Sequence, residues 1–306
     1  MAITANMIKE LREMTGAGMM DCKKALTEAD GNMEKAVEIL REKGLAKAAK
    51  KAGRIAAEGL VATYVSEDGK TAALVEVNSE TDFVAKNELF KTFVDETAKQ
   101  AVLTKTDNIE DFMKEAWHLD NSKTVQDVLT EKISVIGENL NIRRFVKYEI
   151  ESGIITTYIH GGGRIGVMVH LDCNSSSDKL AEAGKNIAMQ IAAVYPKYIT
   201  IDEVPADYVE KEREILKQQA LNEGKPANIV EKMIEGRLKK SLKEICLMDQ
   251  AYIRDPEMTV SQYLDSVSKE IGDKVTIKAF VRYETGEGIE KKEENFAEEV
   301  AKQMNQ

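Results

Sequence analysis

The chain has 306 residues, 43% apolar and 31% charged, a length that favours about two domains and a composition that can bury a substantial core. Its 43 basic against 53 acidic side chains leave a net charge of −10, which argues against binding nucleic acid over the whole surface, because phosphate neutralisation needs a basic face. No run of about 18 apolar residues exists to span a membrane, and three cysteines and three histidines without a CxxC or HxxxH pair fit a reducing cytoplasm better than a zinc site.

Residues 1–54 read as three short helices. Met7, Ile8, Leu11 and Met14 recur at helical spacing in a first, amphipathic helix that does not have the form of a secretion signal. Thr15-Gly16-Ala17-Gly18 breaks it, a second helix runs near Met20–Ala29, and Asp30-Gly31 stops that one. Asn32 is the expected N-cap of a third helix carrying Ala36, Val37, Ile39 and Leu40, which Gly44 is expected to end. The basic tract 45–54 then reads as a tether. This segment carries 11 basic and eight acidic side chains, so it is positive within an acidic protein.

Residues 59–77 (GLVATYVSEDGKTAALVEV) and 153–171 (GIITTYIHGGGRIGVMVHL) form an internal repeat, 94 residues apart and without a gap. Gly59 pairs with Gly153, Thr63 with Thr157, Tyr64 with Tyr158, and Gly69 with Gly163. Each copy alternates around a glycine turn, as a β-hairpin does, and an apolar-periodic helix follows each. Residues 105–150 are expected to insert more helix and one strand between the copies. Residues 204–245 read as an antiparallel helical hairpin with a narrow apolar seam, turning at 222–226. Such an arm serves either an intermolecular contact or as a solvated strut. VTIKAFVRY (275–283) returns to strand alternation, Gly286-Glu287-Gly288 reads as a hinge, and 289–306 as a charged helix whose few apolar residues, Ile289, Phe296 and Val300, must dock on something.

Motifs of covalent chemistry are weak. Gly161–Gly166 fits GxGxxG, but a strand rather than a helix follows, so no helix N-terminus is there to hold a pyrophosphate. His160-Gly161-Gly162-Gly163 resembles an esterase oxyanion loop, yet no GxSxG nucleophile exists, and Gly69-Lys70-Thr71 has tyrosine where a P-loop needs its first glycine. Each cysteine reads first as a small buried hydrophobe. One segment stands apart: Glu80-Thr81-Asp82-Phe83-Val84-Ala85-Lys86, between the first hairpin and its helix, where the second copy has the polar Cys173–Asp178. Either Thr81 or Asp82 caps the helix and Phe83 staples its first turn, or Phe83 is presented as a wedge to a partner with Asp82 beside it. Met19-Met20 likewise suit either an adaptable protein contact or core packing.

Leu11–Leu26 (LREMTGAGMMDCKKAL) and Glu76–Lys86 (EVNSETDFVAK) resemble the two signatures of the bacterial translation elongation factor Ts family. Ile136-Gly137-Glu138-Asn139, Arg143-Arg144, His160 with Gly163–Gly166, Gly224-Lys225-Pro226, Glu235-Gly236-Arg237 and Gly286–Glu290 match it in order along essentially the whole chain. The resemblance implies an α+β protein. Its parts would be a UBA-like three-helix domain and basic linker (1–54), a first core subdomain (55–150), a second in two parts (151–203 and 246–285), a coiled-coil dimerisation hairpin (204–245) and a C-terminal helical module (286–306). It implies guanine-nucleotide exchange on elongation factor Tu, with no covalent chemistry and no cofactor or metal of its own. Thr81, Asp82, Phe83 and Val84 would dislocate the partner's magnesium ion, and Met19, Met20, His160 and Phe296 would supply further partner contacts. A cytoplasmic protein is implied, with a possible homodimer and neither nucleic acid nor membrane as partner. Two other readings stay open on the residues alone: a non-enzymatic adaptor using the three-helix head and 45–54, and a nucleotide-dependent enzyme using Gly161–Gly166.

Overall fold

The computed structural model describes residues 3–175, 177–223 and 227–290, with the side chains of 227–230 left aside. Residues 224–226 of the turn expected at 222–226, and most of the C-terminal helix, Phe296 included, lie outside the described residues.

Three helices open the chain: α1 (Ala5–Thr15), α2 (Met19–Glu28) and α3 (Met33–Lys51). Thr4 Oγ1 accepts from the Met7 amide and Asn32 Oδ1 from the Lys35 amide, each filling an orphan donor of a first turn. Leu11, Cys22, Ala25, Leu26 and Ala36 close a small core between them. Gly44 does not end the third helix, which runs on to Lys51 and absorbs most of the expected tether. Gly44 is buried there against the helix that holds Ser134, where a Cβ would make an ordinary contact at 3.6 Å, so packing carries the helix past this residue.

The first copy of the repeat comprises β1 (Glu58–Val65), β2 (Thr71–Ser79), a single turn α4 (Asp82–Ala85), α5 (Glu88–Leu103), a short α6 (Ile109–Phe112), β3 (Ala116–Trp117), β4 (Asp120–Thr124), α7 (Val125–Ile136) and β5 (Asn141–Glu149). The second comprises β6 (Ile154–His160), β7 (Ile165–Asp172), α8 (Asp178–Val194), the helical pair α9 (Ala206–Asn222) and α10 (Ala227–Ile245), β8 (Ala251–Tyr252), β9 (Asp255–Thr259), α11 (Val260–Ile271) and β10 (Thr276–Glu284). Each copy builds an antiparallel three-stranded sheet, ordered β1-β2-β5 and β6-β7-β10.

The repeat is therefore longer than the hairpins. Residues 116–149 and 251–284 correspond element by element at a constant spacing of 135. Thr124 and Thr259 both close capping boxes, Gly137 and Gly272 both end their helix left-handed, and the third strand bulges at Arg143 and at Lys278. Residues 105–150 are thus no insertion. The inserted element is α9/α10, whose core of Leu216, Ala220, Ile234, Leu238 and Leu242 is separate from those of the sheets. Gly59 and Gly153 are bound to be glycine: at φ +130 and +77, a Cβ would sit 2.2 and 2.0 Å from the carbonyl oxygens of Val77 and Leu171.

Helices cover the outer face of each sheet, with Phe90, Phe93, Phe112 and Trp117 in one core and Leu171, Leu180, Ile187 and Leu264 in the other. Between the sheets lies a third core of Val61, Leu74, Ile155 and Met168. The order is helix, sheet, sheet, helix, so the middle strands are buried on both faces. Gly163 and Gly166 belong to this junction. A Cβ on Gly163 would strike Leu60 at 2.6 Å, one on Gly166 would strike Val61 at 2.5 Å, and the Val61 amide donates to the Gly163 carbonyl at 2.7 Å.

One buried acid locks the copies together. Glu76 on β2 is fully buried and accepts from Arg143 Nη1 (3.0 Å), Arg144 Nε (2.5 Å), Asn78 Nδ2 (3.1 Å) and the Gly286 amide (2.8 Å). Arg144 also reaches Glu287 at 3.1 Å and stacks 4.0 Å from the Tyr283 ring centre. Gly286-Glu287-Gly288 is consequently a docked turn and not a hinge: Gly286 is buried, and a Cβ on it would lie 2.1 Å from the Ala57 carbonyl oxygen. Replacing Glu76 by alanine leaves Arg143 without a carboxylate partner and Arg144 with Glu287 alone; both guanidinium groups are partly exposed, so the unfolding free energy should fall by about 1–3 kcal/mol. An unchanged denaturant midpoint for Glu76→Ala would contradict this.

Candidate functional site

The segment singled out in the sequence forms the one-turn helix α4 between β2 and α5. Thr81 is its N-cap, with Oγ1 accepting from the Val84 amide at 3.4 Å. Val84 points into the first core, whereas Phe83 is 79% exposed. The cap half of the local reading therefore holds and the staple half does not: Phe83 packs on no helix turn. Its neighbour Lys86 lies 5.8 Å from the ring centre and bonds Asp82 Oδ2 at 2.7 Å. That bond to Lys86, aided by the lysine's charge, holds the Asp82 carboxyl below its ordinary range.

The backbone beneath Phe83 is pinned from a distance. The amides of Glu80 and Thr81 donate to Glu138 Oε2 at 3.1 and 3.0 Å, and the Thr81 hydroxyl donates to Glu138 Oε1 at 2.7 Å. In return the Asn139 amide donates to Glu80 Oε1 at 2.5 Å, and Arg54, just beyond α3, approaches Glu80 at 3.5 Å. Sequence reasoning gave no role to Glu138, which lies 57 residues from Thr81 in the chain.

The comparison of copies shows what α4 is. Up to Thr81 the copies keep their spacing of 94, so that Glu80 and Thr81 match Asn174 and Ser175. From the N-caps of the following helices, Asn87 and Ser177, the spacing is 90. Gln100 and Gln190 confirm the new register, each bonding the same two backbone groups of its own β-hairpin. The first copy thus carries four extra residues, the length of Asp82–Ala85.

Met19 and Met20 open α2 at 60% and 63% exposure, beside an open cleft of about 580 Å³ between the three-helix module and α7, lined by Met14, Leu40, Lys47, Lys123 and Val135. Arg41–Asp127 spans the two walls at 2.7 Å. His160 lies exposed at the end of β6, its Nδ1 3.0 Å from the Tyr158 hydroxyl. Among the described residues, the candidates thus stand on three separate elements and do not converge into one pocket.

Covalent chemistry finds little support. All three cysteines are buried and free, and burial pushes the Cys246 thiol up to about 11, away from a reactive thiolate. Among the described residues no group of three His, Cys, Asp or Glu side chains could hold a metal, and no helix is long and apolar enough to cross a membrane. The Gly161–Gly166 turn leads into β7, and two of its glycines, Gly163 and Gly166, serve the sheet junction.

A solvent-facing aromatic on a hydrogen-bonded base, and exposed methionines on a second module, are side chains open to contact with another macromolecule. Comparison with known proteins is more specific. The model of the family described as elongation factor TS matches residues 80–287. An elongation factor Ts of Clostridium botulinum (strain ATCC 19397 / Type A) is 57% identical over 304 residues, 99% of each chain. That of Clostridium perfringens (strain SM101 / Type A) is 59% identical over 300 residues, 98% of each. The chain belongs to the elongation factor Ts family, and so to the exchange factors of protein biosynthesis.

The exposure pattern makes a direct prediction. Phe83→Ala should leave stability within about 0.5 kcal/mol of wild type, whereas Val84→Ala next to it should cost about 1.5 kcal/mol, two buried methyl groups at about 0.8 each. Equal losses in thermal denaturation would show that Phe83 is a packing residue after all.

Proposed function

We propose that this chain binds elongation factor Tu in its GDP form, disturbs the partner's magnesium and nucleotide site through Thr81–Val84, and so promotes GDP release and GTP loading in the cytoplasm. The observation that carries the reading is Phe83: a large apolar side chain left in water on a turn whose backbone is held by Glu138 and whose next residue is anchored in the core. The nucleotide and the magnesium are the partner's, and the chain itself makes and breaks no covalent bond.

The proposed mechanism is coupling. A factor that binds the nucleotide-free partner more tightly than the loaded one must be weakened by nucleotide to the same degree, so GTP can expel it as GDP was expelled. Met19, Met20, His160 and the segment around Phe296 provide docking free energy. Phe83 converts part of it: inserting a phenylalanine between partner side chains contributes about 2–3 kcal/mol once water is excluded. Asp82 is free to change partners, because an ion pair as exposed as Asp82–Lys86 is screened by water and holds its members only weakly. The helical pair α9/α10 is proposed as a coiled-coil self-association element, supported by Ile215 and Leu221, which stay exposed on α9 while the seam beside them is filled.

Stopped-flow release of a fluorescent GDP from elongation factor Tu tests the proposal. Substoichiometric amounts of the chain should accelerate release strongly, and Phe83→Ala should slow the accelerated rate roughly tenfold or more, a loss of about 1.4 kcal/mol or more. A folded, partner-binding chain that gives no acceleration would instead be a docking adaptor. Joining 205 to 245 through a short linker, which removes the helical pair, should leave exchange largely intact while sedimentation shows weaker self-association. Unchanged sedimentation would refute the dimer role.

A further inference from the structure

We propose that Glu138 is a positioning residue for the Phe83 wedge, an inference that rests on the exchange reading above and adds to it a residue outside the wedge. Glu138 stands on the turn between α7 and β5 and holds the wedge at its base. Its two carboxylate oxygens take the Glu80 and Thr81 amides and the Thr81 hydroxyl. The last bond matters most. By donating its proton to Glu138 at 2.7 Å, Thr81 Oγ1 turns its lone pairs toward the Val84 amide, which it caps at 3.4 Å. The carboxylate therefore fixes both the backbone entering α4 and the cap that starts it, and Phe83 is the second residue of that turn.

The second copy contains the same clamp without the wedge. Asp273, 135 residues after Glu138, accepts from the amides of Asn174 and Ser175 at 2.8 and 3.2 Å, 94 residues after Glu80 and Thr81. The Asn174 amide first, then the Cys173 thiol, which donates to Oδ2 at 3.4 Å, and the Lys274 and Ser175 amides hold the Asp273 carboxyl below its ordinary range. A carboxylate taking two consecutive amides is thus part of the shared fold. The first copy alone adds the threonine hydroxyl, the return bond from the Asn139 amide to Glu80, and the four residues of α4. In the second copy the Lys274 amide, at the place of Asn139, donates to Asp273 itself. The twin therefore separates the two duties: Asp273 is structural, and Glu138 is structural and also directs the wedge.

A wedge acts only if its base resists the force at its tip. Without Glu138 the turn would still bear Phe83, but in several orientations, and the loss would fall on conversion of the bound complex rather than on docking. The test uses the full-length chain, with GDP release from elongation factor Tu followed over a range of factor concentrations. Glu138→Ala should lower the maximal rate roughly tenfold, with a half-saturating concentration within about twofold of wild type. Glu138→Gln keeps both N–H bonds through its amide oxygen but places an N–H donor where Oε1 accepts the Thr81 proton, so it should recover only part of the rate; this variant serves if the alanine form does not fold, and a wild-type maximal rate in it would overturn the proposal. Asp273→Ala should lower the unfolding midpoint by a similar amount yet leave the maximal rate within about twofold of wild type. Equal rate losses in Glu138→Ala and Asp273→Ala would overturn the proposal, as would an unchanged maximal rate with a raised half-saturating concentration. Amide hydrogen exchange at residues 82–86 of the free chain reads the clamp without the partner: Glu138→Ala should speed it roughly tenfold and Asp273→Ala should not. If wild type fails to accelerate release while the exchange difference appears, the exchange reading falls and the clamp stands as a positioning device; no exchange difference overturns the clamp itself.

Discussion

The carboxylate of Glu76 is the constraint on which the arrangement of the molecule rests. It is wholly enclosed, and an enclosed charge is tolerable only when its oxygens are filled. The filling groups come from both halves of the chain: Arg143 and Arg144 from the first sheet, and the Gly286 amide from the end of the second. Consecutive strand residues normally face opposite ways. The bulge at Arg143 removes that rule locally, and so two adjacent guanidinium groups reach one acid. The same bulge recurs at Lys278, but there His170 stands in place of Glu76 and Ala279 in place of Arg144, so no charge cluster forms. The acid also sits on β2, the strand that runs directly into Glu80 and Thr81. Whatever fixes β2 against the second sheet fixes the start of α4.

Two copies of one frame have been put to different uses. Both keep the inward hairpin glycine, the two-residue clamp, the buried glutamine under the small hairpin, the capping box and the bulged third strand. They differ by insertion at loops. The first gains a helical turn ahead of its long helix, and the second gains the α9/α10 pair after its own. Insertions at such joints leave the sheet registers intact, because long loops close at small entropic cost and disturb no buried backbone bond. An added function can therefore be tried on one copy while the other holds the core.

These differences also decide what the sequence discloses. The first half of the repeat is visible because its spacing is constant and Gly59 and Gly153 cannot accept a side chain. Its second half is equally regular, yet α4 moves the spacing from 94 to 90 and the helical pair moves it on to 135, and a search at one offset passes over it. The small hairpins add little signal, since two-residue strands such as Ala116–Trp117 are too short to alternate. Gly44 shows a different failure. Glycine after a periodic segment reads as a helix end, but here tertiary contact with α7 keeps the helix going. At the site, Thr81 is legible as a cap from its neighbours. The exposure of Phe83 is not, because a hydrophobic staple and a presented wedge share one local pattern and differ only in whether a surface lies within reach. Glu138 is hidden for a related reason: its contacts with Glu80 and Thr81 are set by how a turn 57 residues away folds back.

On the exchange reading, the rigidity of the wedge follows from thermodynamics. Docking free energy distorts the partner only to the extent that it is not consumed in ordering the factor itself. Fixing a free backbone residue costs about 1–2 kcal/mol, so a disordered four-residue loop would absorb about 4–8 kcal/mol on binding. That exceeds the 2–3 kcal/mol or so that a phenylalanine can return on burial. The clamp at Glu138, the cap at Thr81 and the buried Val84 place that ordering cost in folding, where the large core of the first copy offsets it. Asp82 and Phe83, by contrast, make surface contacts with Lys86 that they can leave at little cost. A fixed base beneath a tip with weak local ties is the combination that lets a short segment act on a nucleotide site without chemistry of its own.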